Sequence, residues 1–346
     1  MHNFKFSIAA AILLLSSGIL LHSCVDALEF TPTEGEKLLV VDGKLTMDGG
    51  EQVLRLTESF LVGRSANFPP VTGALVSLRD DLGRTAIYHE TEPGVYKLDG
   101  SVIQGTPGRT YTLRIENRGK VYESKPETMP QKIEADSSFF AIGNQNFVYV
   151  YSSINIPADL DKGPFLKWRI DYVYQINEIY CGPFDPTNIC YVQEKFGNQL
   201  LPILDGSLLA RGETAKPFVA VQEADKTFGE VVYFNLYMET LTPDAFKYWN
   251  KVSLLLTQSG SFFDAPPGAI RGNITNVNNP EELVLGYFYA APEDVTHVKV
   301  LASDFLPYQI NPYCGIAGFP PSPFPSECCT CTRLPNSTLE KPDYWE

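Results

Sequence analysis

From residue 37 onward the chain keeps returning to one short pattern: apolar residues at every second position, then a turn. Ala74, Val76 and Leu78 point one way while Ser77 and Arg79 point the other, and Gly94-Val-Tyr-Lys-Leu98 and Tyr111-Thr-Leu-Arg-Ile-Glu116 alternate in the same sense. A period of two belongs to a strand buried on one face, not to a helix. Lys37-Leu-Leu-Val-Val41 and Val53-Leu54-Arg55-Leu56 add apolar runs, with turns at Asp42-Gly43, at Asp80-Asp-Leu-Gly83 and at Asn117-Arg-Gly119 before Val121-Tyr122. About seven short strands, with a turn roughly every eight to twelve residues, predict an immunoglobulin-like β-sandwich over residues 37–130.

Pro126 and Met129-Pro130 mark the expected end of that unit. Residues 131–346 are predicted as a larger β-rich domain, with strands at Phe147-Val-Tyr-Val-Tyr151, 166–174, 231–238 and 283–289. One helix is inserted over 242–257. Thr242 is its N-cap, Pro243 suits the first helical position and Asp244 complements the dipole. Ala245, Trp249, Val252 and Leu256 recur at helical spacing and form its apolar face. The fold class expected is mainly β, and the 12% aromatic content with 26 prolines and 26 glycines agrees with short strands joined by turns.

Residues 1–23 read as a signal peptide. Lys5 gives a positive start, and the apolar stretch opening at Ile8-Ala-Ala-Ala-Ile-Leu-Leu-Leu15 runs on to Leu21. Leu21-His22-Ser23-Cys24 places a leucine three positions before a cysteine and a small residue just before it, which is a lipobox. It predicts lipidation of the Cys24 thiol, and two or more acyl chains hold a protein stably on a membrane. Residues 24–36 are the expected tether, and no apolar run beyond residue 23 is long enough for a membrane helix. The full chain carries 27 Lys+Arg against 41 Asp+Glu, a net charge of −14. That excess argues against nucleic acid as a partner.

Beyond the signal peptide only His89 and His297 remain. A His-rich zinc centre is excluded, and a Ser-His-Asp triad would have to use one of these two. No Gly-x-Ser-x-Gly elbow, phosphate-cradling glycine loop or His-Glu-x-x-His is present. Asp159-Leu-Asp-Lys-Gly163 starts like a calcium loop but lacks the later oxygen ligands. No metal and no cofactor is expected.

Six cysteines follow Cys24: Cys181, Cys190, Cys314, Cys328, Cys329 and Cys331. An even number outside the cytoplasm predicts disulfides. Local reach favours Cys181 with Cys190, and Cys314 with one of the three clustered cysteines of the tail segment 314–331. The last two would then pair with each other, as a vicinal Cys328–Cys329 bond or a tight Cys329–Cys331 ring. The alternative, a zinc site of four thiolates, suits adjacent cysteines poorly.

"GALVSLRD", "PGVYKL" and "GRTYTLRIE" resemble the carboxypeptidase-regulatory type of sandwich. Thr242-Pro-Asp-Ala-Phe-Lys-Tyr-Trp249, Asp264-Ala-Pro-Pro-Gly-Ala-Ile-Arg-Gly-Asn273, Leu285-Gly-Tyr-Phe288 and Lys341-Pro-Asp-Tyr-Trp345 follow in order. With "LLVVDGKL" and "GTPGRTYTLRIE" they make the chain resemble, over nearly all of its length after residue 23, the Bacteroidota lipoprotein family catalogued as domain of unknown function 4249. Ala265 replaces one proline of the usual run, and Pro335 to Glu340 replaces a glycine pair. The resemblance implies a lipoprotein of the outer membrane working beside a TonB-dependent receptor, and it supplies no catalytic residue. Asp26 and Glu29, just after Cys24, resemble surface-export signals, which favours the cell surface over the periplasmic face.

The function expected is therefore non-enzymatic: an accessory to a TonB-dependent receptor in capture or transport of a small nutrient, peptide or glycan. A stand-alone adhesin or structural module is the alternative from another class. A hydrolase with an unrecognised carboxylate pair is the third. The weak candidate for a ligand or partner loop is Asp264, Arg271 and Asn273, where prolines and glycines also suit a rigid turn. The many Tyr and Phe side chains suit sugar stacking or, by default on alternating strands, packing.

Overall fold

The computed structural model describes residues 37–59, 68–158, 163–181, 187–196, 200–258, 270–314 and 325–346. Cys24, Asp264 and most of the 159–163 segment lie outside them. The protein is mainly β. Eight strands come from the first part of the chain: β1 (Leu39–Leu45), β2 (Glu51–Glu58), β3 (Leu75–Asp80), β4 (Thr85–Glu92), β5 (Val95–Asp99), β6 (Thr110–Asn117), β7 (Lys120–Ser124) and β8 (Glu127–Thr128). β4 turns one long ribbon into a sandwich. Its first half pairs with β3, its second half with β5, and the register slips between Glu90 and Glu92. Val41, Leu54 and Leu56 of one layer meet Val76, Leu78, Leu113 and Ile115 of the other, all fully buried. Burial of each such side chain contributes about 1.5–3 kcal/mol.

A second sandwich follows. Its small sheet holds β9 (Ser137–Ile142) and β10 (Phe147–Asn155). Its large sheet is built on β11 (Phe165–Asn177), with β12 (Ile189–Lys195) on one side and β13 (Ile203–Asp205) beside its first residues. The chain then returns to the small sheet through β14 (Thr214–Ala215) and β15 (Phe218–Glu223), both paired with β10, and crosses back to β16 (Val231–Leu241) beside β11. Val148 and Val150 of β10 pack on Leu166, Trp168, Phe234 and Leu236 of the large sheet.

Helix α1 (Pro243–Gln258) starts as its sequence demands. The Thr242 Oγ1 accepts from the Ala245 amide at 3.2 Å, which satisfies one of the free donors of the first turn. Its buried face is Ala245 and Phe246, with Trp249 half-buried; Leu256, placed on that face by its spacing, is exposed instead. After α1 come β17 (Ile274–Asn276), β18 (Leu285–Ala290) and β19 (Glu293–Leu301).

These strands cross the boundary expected at residue 130. β17 extends the first sandwich beside β7, and β18 lies parallel to β1 from Val40↔Leu285 to Leu45↔Ala290. β19 then joins β16 in the second sandwich. The physical reason is the open edge of β1, whose unpaired backbone groups need a partner. Two glycines permit the fit. Gly286 has φ +84 and its Cα faces the Val41 carbonyl, while the Gly272 Cα faces the Gly286 carbonyl; a Cβ at either site would overlap backbone.

The tail closes the second sandwich. Helix α2 (Ser326–Cys329) carries Cys328 and Cys329, Cys331 follows it, and β20 (Ser337–Thr338) covers the free edge of β12. Trp345 ends buried between Tyr191 and Tyr233, with ring centroids 4.8 and 4.6 Å away. No helix among the described residues is long and apolar enough to cross a membrane.

Candidate partner-binding face

β10 alternates large and small: Phe147, Tyr149 and Tyr151 point away from the core into which Val148 and Val150 point. Cross-strand pairing brings Phe139 of β9 opposite Tyr151, and Phe218 of β15 on its other side. Five rings thus run in one chain over the outer face of the small sheet. Successive centroids are 5.3 Å (Phe139–Tyr151), 5.9 Å (Tyr151–Phe218), 6.0 Å (Phe218–Tyr149) and 6.5 Å (Tyr149–Phe147). Phe139 is 38% and Phe218 40% exposed. A cluster of large apolar side chains on a solvent face is what an interaction surface looks like. The Tyr149 ring lies close over the Cα of Gly143, where any side chain would displace it. The planes of Phe139 and Tyr151 are only 14° apart, so each ring covers a face of the other. Fewer ring faces stay open for a sugar, and a broad apolar surface is presented. Lys216 stands at the rim, 6.0 Å from the Phe139 centroid.

Of the ligand loop expected from sequence, Arg271 and Asn273 are among the described residues. Asn273 is buried: its amide donates to Glu127 at 2.9 Å and to the Phe288 carbonyl at 2.7 Å, while its carbonyl accepts from the Phe288 amide. It ties β17 to β18 and is closed to a ligand. Arg271 is exposed and reaches the Glu281 carbonyl at 3.4 Å. The order Arg-Gly-Asn, then Leu-Gly-Tyr-Phe, is therefore a packing seam between residues 271–288 and β1.

Glu127 sits at this seam. Its carboxyl accepts from Tyr287 at 2.8 Å and from Asn273, and stands 3.3 Å from the Thr242 hydroxyl. Burial pushes its pKa up despite these hydrogen bonds, with Asp244 nearby adding to the rise. The folded state then keeps a proton that the unfolded chain has lost, so this site costs stability as pH rises above the ordinary glutamate value. Glu127→Gln retains the same contacts without the charge. Its melting temperature relative to wild type is expected to improve steadily between pH 4 and pH 7, whereas Glu127→Ala is expected to lose about 1–3 kcal/mol by stranding the Tyr287 and Asn273 donors. Thermal melts of both variants across that range check this.

A second buried network joins the two sandwiches. Glu239 of β16 binds Lys167 of β11 at 2.7 Å and Lys44 of β1 at 2.8 Å; Lys44 also binds Glu293 at 2.7 Å. The Tyr289 hydroxyl donates to Glu239 and accepts from Lys167, each at 3.0 Å, and the Lys167 ammonium lies 4.3 Å from the Trp249 ring centroid. Two ammoniums balance two carboxylates. Burial alone would raise Glu239, but Lys167 and Lys44 overcome it and hold the carboxyl at about 2.

His297 of β19 donates from Nδ1 to Asn235 Oδ1 at 2.8 Å and stacks on Tyr344 of the tail at 4.0 Å. Asn235 in turn donates to Asp171 at 2.7 Å. The asparagine stands between acid and imidazole, so the row is not the Asp-His contact of a triad. Burial raises the Tyr344 phenol and keeps it protonated. His89 is exposed on β4.

The cysteines pair as Cys181–Cys329, Cys190–Cys331 and Cys314–Cys328. The local Cys181–Cys190 pairing is corrected, as is any bond within the tail cluster; Cys314 does join a clustered cysteine. The reason is the position of β12, which brings Cys190 under the tail rather than across its own loop. Glu178 accepts from the Cys331 amide at 2.7 Å. Glu178, Cys190 and Cys331 lie within 4.8 Å of one another, but both sulfurs are spent in a disulfide and offer no thiolate to a metal.

A family model described as "Domain of unknown function (DUF4249)" matches residues 25–297. No curated protein matches the chain. Among solved structures, the crystal structure of collagen adhesin from S. aureus aligns at 8% identity and a TM-score of 0.19, covering 76% of this chain and 95% of that one.

Proposed function

The chain belongs to the DUF4249 family, and from that premise we propose that it is a non-enzymatic binding protein, held at the outer membrane by a lipid on Cys24, that docks on a TonB-dependent receptor. The observation that carries this reading is the run of Phe139, Tyr151, Phe218, Tyr149 and Phe147 on one sheet face, with Phe139 and Phe218 exposed and the other three half-buried. The long-range disulfides support an oxidising compartment. The lipobox supports the anchor, and the paired rings favour an apolar protein surface over a sugar. In its working role the protein helps the receptor capture or pass on a nutrient. Solubilising native outer membranes and isolating the tagged full chain tests this. A TonB-dependent receptor is expected in stoichiometric amount, with protease shaving of whole cells removing the tagged domain. A chain that fractionates away from the membrane, or never carries such a receptor, contradicts it.

A further inference from the structure

Cys181 and Cys190 lie nine positions apart in the chain, yet each is bonded to the tail, 148 and 141 positions away. Loop closure weakens roughly as the three-halves power of separation, so in the unfolded chain Cys190 meets Cys181 roughly 60-fold more often than it meets Cys331. Local structure adds to the bias. β11 and β12 pair from Asp171↔Lys195 to Asn177↔Ile189, a hairpin whose loop contains Cys181 and whose second strand contains Cys190. Cys329 and Cys331 are likewise neighbours, separated by Thr330 alone.

We infer that this chain is a folding substrate of a dithiol–disulfide isomerase, which converts short-range Cys181–Cys190 and Cys329–Cys331 bonds into the native long-range pairs. A thiolate of the isomerase attacks the Cys181 sulfur, forms a mixed disulfide and releases Cys190 as a thiolate. Cys190 attacks the Cys331 sulfur, which forms Cys190–Cys331 and releases the Cys329 thiolate. Cys329 then attacks the Cys181 sulfur, forms Cys181–Cys329 and expels the isomerase thiolate. Two disulfides are broken and two are made, so nothing is oxidised or reduced overall. Burial sets the direction. Cys190 and Cys331 are both 0% exposed in the fold, so their bond, once packed, is out of reach of an attacking thiolate, whereas Cys181 remains at the surface.

The test is oxidative refolding of the reduced full chain, with disulfides mapped by peptide mass spectrometry. Under a thiol-free oxidant, a product containing Cys181–Cys190 is expected to accumulate. Adding a dithiol isomerase with a monothiol buffer is expected to convert it to the three native pairs at least tenfold faster than the buffer alone. A chain with Cys181, Cys314, Cys328 and Cys329 all replaced by serine, which leaves neither Cys190 nor Cys331 a short-range partner, is expected to form Cys190–Cys331 without that help. Direct formation of Cys181–Cys329 in the thiol-free reaction overturns the proposal. So does equal dependence of that variant on the isomerase.

Discussion

Lys167→Met is expected to lower the unfolding free energy by about 3–5 kcal/mol, because it leaves Glu239 buried with one ammonium in place of two. Lys167 and Glu239 have 7% and 2% of their side-chain surface exposed, so water cannot replace the lost charge. Glu239→Gln alone should cost a similar amount. Removing both, as Lys167→Met/Glu239→Leu, should cost clearly less than the two singles together, since neither charge is then stranded. The sign with pH follows from the depressed carboxyl. Its stabilisation is complete above the unfolded glutamate value near 4.3 and fades as pH falls toward about 2. Wild type and Glu239→Gln should therefore differ most at neutral pH and converge in acid. Urea unfolding at several pH values measures this, and a flat difference would remove the ion pair from the account.

Cys190→Ser/Cys331→Ser is expected to cost about 3 kcal/mol. Cys181–Cys329 already closes nearly the same long span, so the second bond adds the closing of a short ring through residues 181–190 and 329–331. Beside the other two disulfides, the tail beyond residue 325 has little regular structure to hold it: α2 is four residues long and β20 two. Loss of the bond should free Trp345 from Tyr191 and Tyr233, readable as a red shift of tryptophan fluorescence and early protease cleavage near the C-terminus. Unchanged stability would mean that the other two disulfides suffice.

The strands were legible where one face is wet, as at 75–80 and 110–117, because alternation records burial residue by residue. The helix was legible from its cap and spacing. The partner of β1 was not: nothing in Leu39–Leu45 says that its neighbour is 285–290, since parallel pairing across more than two hundred residues leaves no local mark. Gly272 and Gly286 do carry that information, but a packing glycine and a turn glycine look alike in sequence. Disulfide pairing failed for the same reason, since local reach is a rule about the unfolded chain. For the candidate face, Phe147-Val-Tyr-Val-Tyr151 already showed aromatic residues on one side and small ones on the other. Phe139 and Phe218 join it only through sheet pairing.

The ring face is the surface proposed to meet the receptor. The direct measurement is binding of the isolated receptor by wild type and by Tyr151→Ser/Phe218→Ser, with folding confirmed by melting temperature. Loss of two aromatic anchors is expected to cost at least about 2 kcal/mol, a roughly 30-fold rise in Kd at unchanged stability. A folded variant that binds the receptor as tightly as wild type would contradict the account.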